Sequence, residues 1–314
     1  MEVIYSKRGA GLWKRPPMPP LRLSDVRNQR RREALSTLEQ LNTSDQLAGG
    51  TSGGFVDRRG RAQRLVGGIT KEIRRAPSGR MRRLLREGQV RPGFFRIGSW
   101  AGRAASSNFH AGSVVHRALM HEFSCTQPRL RLSDVSSHFP LPAPLDGGAC
   151  RCAAVHGPLR IKKDERPVLD MCVDAARRFV AHEGLRPVLS EQVVVDDKIG
   201  TRFDALMARY KPGTVTEEMV LVSWKTGGSA MYEVSKNSSA KQQREQTEHR
   251  NRNIMQVLYE ACMLEREYGI RVDGAYVVNL MAANTGGVGY YMRLDRSDIE
   301  AAPVVYDEMR RLAK

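Results

Sequence analysis

Three polar side chains stand where a strand pattern calls for apolar ones. Asp204 lies inside Gly200-Thr201-Arg202-Phe203-Asp204-Ala205-Leu206-Met207, Glu191 heads Val193-Val194-Val195, and Lys225 closes Met219-Val220-Leu221-Val222-Ser223-Trp224-Lys225. A buried carboxylate must be paired or must coordinate something, because an isolated charge is too costly to desolvate. Asp204, with another oxygen from Glu191, reads as a hard-ligand site for Mg²⁺ or Mn²⁺, which would hold substrate phosphate. On a strand, Ser223 and Lys225 share one face, and Val222 and Trp224 share the other. Beside such a site Lys225 handles phosphate charge. Two plainer readings stand alongside: Lys225 snorkels to solvent at the strand end, or Asp204 and Lys225 form a structural ion pair.

Holding these groups together requires a sheet braced by helices. Val114, Val115, Leu119 and Phe123 fall at helical spacing over 113–123, which places His116 on a helix, where read alone it is a surface histidine. A second helix is expected over 164–184, with Gly184 as its stop. The period then changes to 2. Three antiparallel strands are predicted at 188–195, 201–209 and 219–225, with turns at Asp196–Gly200 and Lys211–Gly213. A helix over 253–268 stopped by Gly269, strands at 274–281 and 288–294, and a closing helix over 296–312 complete the order. A central sheet flanked by helices follows, in the α/β or α+β class.

The charge is uneven. Of 51 Lys+Arg and 34 Asp+Glu in 314 residues, the first 110 residues hold 23 basic and 8 acidic, so the remaining 204 are nearly balanced. The excess is mostly arginine, with clusters at Arg30-Arg31-Arg32, Arg58-Arg59, Arg74-Arg75 and Arg80 to Arg86, which includes Arg82 and Arg83. Arginine forks onto phosphate oxygens, so this segment suits a polyanion. Pro16-Pro17, Pro19-Pro20 and the Gly49–Gly54 stretch break up any fold there, and short helices are expected only near 26–41 and 69–87. The division expected is a basic, largely disordered extension over 1–110 and a folded domain over 111–314. No apolar run is long enough to span a membrane, no signal peptide is apparent, and five scattered cysteines read as reduced thiols of an intracellular protein. A mitochondrial transit peptide and a nuclear localisation signal both fit the basic start.

The motifs carry a resemblance. Gly112-Ser113-Val114-Val115-His116, Ser190-Glu191, Gly200 with Asp204, Ser223-Trp224-Lys225-Thr226-Gly227 and Gln256 with Tyr259 appear in that order. The series resembles the RecB-like branch of the PD-(D/E)XK nucleases, most of all the mitochondrial genome maintenance exonuclease type, over about residues 112–280. That resemblance implies a restriction-endonuclease-like core around a mixed sheet and an exonuclease on single-stranded DNA, with replication or repair proteins as further partners. It implies His116 and Asp204 as metal ligands, Lys225 as the catalytic lysine, and Gln256 and Tyr259, with Thr226, along the DNA groove.

One position departs from the pattern. The family places an acid two residues before the lysine, and Ser223 stands there. Glu217 shares its strand parity, but six residues at ~3.3 Å each put it about 20 Å away. Three readings stay open: Glu191 and His116 carry the site with the Trp224 carbonyl as another oxygen ligand, the protein binds nucleic acid without cutting it, or Ser223 is a substituted residue. Cys150, Cys152 and His156 lack a second ligand pair for zinc. Only Cys262 lies where some relatives hold cluster-binding cysteines, and no Walker loop is present, so neither an iron–sulfur cluster nor a nucleotide cofactor is expected.

Overall fold

Residues 219 to 222 are apolar without alternation and all four are buried; a strand covered on both faces needs that pattern. The computed structural model describes residues 29–43, 54–56, 62–64, 67–68, 73–74, 76–99, 112–124, 138–139, 159–160, 166–196, 199–210, 217–226, 239–280 and 288–312. Its strands are β1 (Gly54–Val56), β2 (Ala62–Arg64), β3 (Gly67–Gly68), β4 (Gly93–Ser99), β5 (His138–Phe139), β6 (Leu159–Arg160), β7 (Leu185–Val195), β8 (Ile199–Tyr210), β9 (Glu217–Lys225), β10 (Gly274–Asn279) and β11 (Val288–Leu294). Its helices are α1 (Gln29–Thr43), α2 (Ser78–Glu87), α3 (Gly112–Ser124), α4 (Arg166–His182), α5 (Ala240–Tyr268), α6 (Arg296–Ile299) and α7 (Ala302–Leu312).

Six strands line up as β7-β8-β9-β10-β11-β4, and the two residues of β3 lie parallel to the start of β8. Among the six, the pairings are antiparallel except β9 with β10, which run parallel because α5 crosses over between them. The molecule is therefore a mixed α/β fold with a mixed sheet flanked by helices. Side chains alternate between two cores: Leu206, Ala208, Met219, Leu221 and Val277 pack with Ile254, Leu258 and Tyr306, while Met207, Val220, Val222 and Trp224 pack with Leu119, Val173 and Phe179. Left-handed glycines end two helices as expected, Gly184 after α4 at φ 63° and Gly269 after α5 at φ 67°, a region that costs L-residues with a Cβ.

Three expectations need correction. The division at 110/111 does not follow the sheet: β4 is its edge strand, and Leu35, Leu38, Met81, Leu84, Leu85 and Phe94 belong to the same core as Leu258. Helices α1 and α2 and strands β3 and β4 of the extension thus belong to the domain, β1 and β2 pair only with each other among the described residues, and Pro16–Pro20, Arg58-Arg59 and most of the Gly49–Gly54 stretch lie outside the described residues. The closing helix is interrupted at Glu300–Ala301, and Pro303, which has no N–H to donate, sits in the first turn of α7. Helix α5 starts at Ala240 rather than near 253, set by a capping box in which Ser239 Oγ accepts Gln242 N–H at 3.3 Å and Gln242 Oε1 accepts Ser239 N–H at 2.9 Å.

Candidate metal centre

The β8–β9 ladder runs from Tyr210–Glu217 to Ala205–Val222 and stops. At the next step the Asp204 carboxylate takes the place of a backbone partner: its Oδ2 accepts Ser223 Oγ at 2.9 Å and the Trp224 N–H at 2.7 Å. On the other side of β8, Glu191 falls between the Ser190–Ala205 and Gln192–Phe203 pairs and has φ 52°. That left-handed backbone costs a residue with a side chain about 1–2 kcal/mol, and it sets a second carboxylate across from Asp204, where like charges repel. The strain and the repulsion are concentrated at this one point of the sheet, as is common where function demands a geometry that packing alone would not select.

Helix α3 supplies the third group. Val115, Leu119 and Phe123 bury its apolar face, and Glu122 accepts both Arg177 Nε and Nη2 from α4 at 2.9 and 2.7 Å, a bidentate pair that fixes the helix. His116 Nδ1 thereby lies 3.0 Å from Glu191 Oε1 and 3.2 Å from Asp204 Oδ1. The ligand atoms of the three residues all fall within 4.8 Å of one another, so the cluster could hold a metal ion. Burial disfavours the His116 imidazolium, but the Asp204 and Glu191 charges outweigh it and raise the pKa to about 10. Burial also pushes the Glu191 carboxyl up, while Asp204 is held low against its burial by His116, Lys225 and the Ser223 hydroxyl. Two carboxylates around an imidazolium are a cation site in which a proton provides the positive charge, and the donor set of two carboxylates and one imidazole fits a divalent ion.

Lys225 ends β9 on the α5 side, the face it shares with Ser223. Its Nζ donates to Gln256 Oε1 at 3.3 Å rather than to Asp204, and Gln256 Nε2 donates to Glu260 Oε1 at 3.0 Å. Glu260, which the sequence reading missed, is buried and also accepts Thr201 Oγ1 at 3.0 Å. Burial, with the Asp204 charge next, raises its carboxyl to about 8. Its signal was present in the sequence, since an acid inside Leu258-Tyr259-Glu260-Ala261-Cys262 sits four residues after Gln256 on the same helix face.

His116, Glu191, Asp204, Ser223, Lys225 and Gln256 come together; other expected site residues do not. Tyr259 is fully buried, donates to Asp196 Oδ2 at 2.9 Å and stacks on Tyr306 at 4.9 Å, so it lines no groove. Trp224 presents its N–H to Asp204, while its indole packs 5.9 and 5.8 Å from Phe123 and Phe179 beneath the site. Thr226 follows directly after β9, half-buried. In the Arg30–Arg32 cluster, Arg31 donates to the Glu217 carbonyl and pairs with Asp273 at 3.8 Å. That is the opposite end of β9, about 26 Å from Lys225 at ~3.3 Å per residue. Arg82 and Arg83 are exposed on α2, with Arg83 paired to Glu87 at 3.2 Å. Cys150, Cys152 and His156 lie outside the described residues. No described helix is long and apolar enough to cross a membrane. The chain matches no protein-family model, and no curated protein matches it.

Proposed function

We propose that this protein is a Mg²⁺- or Mn²⁺-dependent deoxyribonuclease of restriction-endonuclease-like architecture. It acts as an exonuclease that hydrolyses phosphodiester bonds of single-stranded DNA in replication, repair or genome maintenance. The observation that carries the proposal is the cluster of His116, Glu191 and Asp204, drawn from α3, β7 and β8, with Lys225 on the neighbouring strand. The motif resemblance supplies the substrate class, and the basic charge of the chain is in keeping with a polyanion.

His116, Glu191 and Asp204 would hold the cation, which supplies a more acidic water and polarises the scissile phosphate. The chain's own groups do the rest. Ser223 Oγ and the Trp224 N–H hold Asp204 ionised and in one orientation. Gln256, itself anchored on Glu260, holds Lys225 Nζ at the end of β9, where its charge stabilises negative charge growing on the phosphate. The neutral Ser223 favours a second reading: it gives Asp204 a donor where a further carboxylate would strengthen metal binding, which suits a factor that grips nucleic acid without cutting it.

End-labelled single-stranded DNA incubated with Mg²⁺, Mn²⁺ or EDTA separates the two. Metal-dependent degradation that drops by on the order of 10²–10³-fold in Lys225→Ala, the effect of losing one preorganised electrostatic contact, is the expected result. Binding without degradation in either metal supports the second reading, and cleavage that persists in Lys225→Ala overturns the site.

A further inference from the structure

Many arginines of the described chain are committed to carboxylates. Arg80 pairs with Glu308, Arg83 with Glu87, Arg209 with Glu218, Arg266 with Asp307 and Arg296 with Glu265. Arg82 and Arg86 on α2, Arg91 just beyond it and Arg250 on α5 behave differently: they line one cleft of about 380 Å³, and among the described residues no acid lines it with them and none of the four has an ion-pair partner. Four like charges around one cavity repel each other, and the arrangement becomes favourable when an anion enters.

The cleft has further marks of a binding site. Arg250 is not free to swing away, because its guanidinium lies 5.5 Å over the ring of Phe94, which is itself buried. Gln89, on the rim, takes the left-handed position that ends α2 at φ 52°, where the Val90 N–H donates to the Leu85 carbonyl at 2.9 Å and holds the cleft's edge in place. Leu85, Val90, Pro92 and Ile254 give an apolar floor, and among the described residues no aromatic ring lines the cleft to stack on a base.

The cleft is separate from the metal centre. At 100° per residue, Thr247, Arg250, Asn251 and Ile254 cluster on one side of α5, and Gln256 lies about 180° from Thr247 on the other. Guanidinium forks match phosphate oxygens two at a time, and an apolar floor without aromatic rings suits sugar–phosphate chain better than bases.

We infer that the cleft between α2 and α5 is a second nucleic-acid site that grips backbone phosphates of a single strand, with Arg82, Arg86, Arg91 and Arg250 as the phosphate ligands. Only the choice of single-stranded nucleic acid as the polyanion rests on the proposed function. Charge, shape and the lack of an acid among the described lining residues stand without it.

Binding of labelled oligothymidylate over a salt series, in EDTA so that nothing is cut, tests the inference. Arg82, Arg86 and Arg91 are exposed, so R82Q/R86Q/R91Q leaves the core untouched, and a melting curve checks that it folds. The expected result is about tenfold or more weaker binding, with the slope of log K against log salt reduced by roughly 2, at ~0.7 per phosphate contact on a single strand. R82K/R86K/R91K should recover the slope but not all of the affinity, because an ammonium keeps the charge and loses the fork. Unchanged affinity and slope in the glutamine variant, or no binding by the natural protein, overturns the inference. Displacement of the oligonucleotide by inorganic phosphate or a mononucleotide at equal phosphate concentration overturns the assignment to a polymer. Binding through these arginines without any cleavage would leave this inference standing and retire the proposed function; cleavage with binding indifferent to the arginines would do the reverse.

Discussion

Helix α5 separates two regions of opposite character. On one side, Asp204, Glu191 and Glu260 are buried carboxylates whose oxygens are met by Ser223, Trp224, His116, Thr201 and Gln256. On the other, Arg82, Arg86, Arg91 and Arg250 surround a cleft that no acid among the described residues lines. The first is preorganised by packing: low dielectric makes each interaction strong, and each lost partner is costly. The second is left open on a surface where guanidinium groups are cheap to keep hydrated and ready for an incoming charge. A site for a small cation and a site for a long anion therefore call for different solutions from the same helix.

Changing pH should separate the two most widely. His116 must lose its proton to bind a metal, and its pKa stands raised to about 10. Mn²⁺ affinity should therefore rise about tenfold per pH unit below that value, or about hundredfold from pH 7 to 9, since metal and proton compete for one nitrogen. Binding of oligothymidylate in EDTA should barely change over the same range, because guanidinium groups stay charged. The same histidine makes a stability prediction of opposite sign. Its folded pKa lies above the unfolded value near 6.5, so the metal-free protein keeps this contribution at low pH and loses it as pH rises from about 6.5 towards 10. Thermal melts in EDTA would show the decline.

Ser223 distinguishes the regions by stability. Ser223→Ala removes a hydrogen bond to a buried ionised carboxylate and should cost about 1.5–3 kcal/mol, read by urea denaturation. Arg82→Ala, at an exposed position without an ion-pair partner among the described residues, should leave the denaturation midpoint where it is. A smaller effect follows from Glu191. Glu191→Gly and Glu191→Ala both delete the carboxylate, but only glycine adopts φ 52° without strain. The glycine variant should be the more stable of the two by about 1 kcal/mol; equal stability would mean that the left-handed backbone relaxes once the side chain is gone.

The strands β7, β8 and β9 and the residues Glu191, Asp204 and Lys225 were legible because polar residues interrupted short apolar runs, whereas His116 and Gln256 were singled out only by the resemblance of the motif series to a nuclease family. What was not legible depended on distant partners. The resemblance implied Tyr259 as a groove residue beside Gln256, yet α7 covers that flank with Tyr306. Strand β4 went unread because it pairs with β11, almost two hundred residues on. The first half of α5 was missed because Ala240–Arg252 has too few apolar residues to show a stripe, although Ser239 and Gln242 mark its start. The arginine cleft appears only when α2 is laid against α5, so the sequence showed a basic extension and not a binding site.

The central claim is that His116, Glu191 and Asp204 hold one divalent cation. Mn²⁺ titration at fixed pH, followed by calorimetry or by the paramagnetic signal of the free ion, tests it on the natural protein and on Asp204→Asn. The predicted result is one ion per chain in the natural protein and loss of that binding in the variant, with the variant still folded by circular dichroism. No binding by the natural protein, or equal affinity and stoichiometry in both, would contradict it.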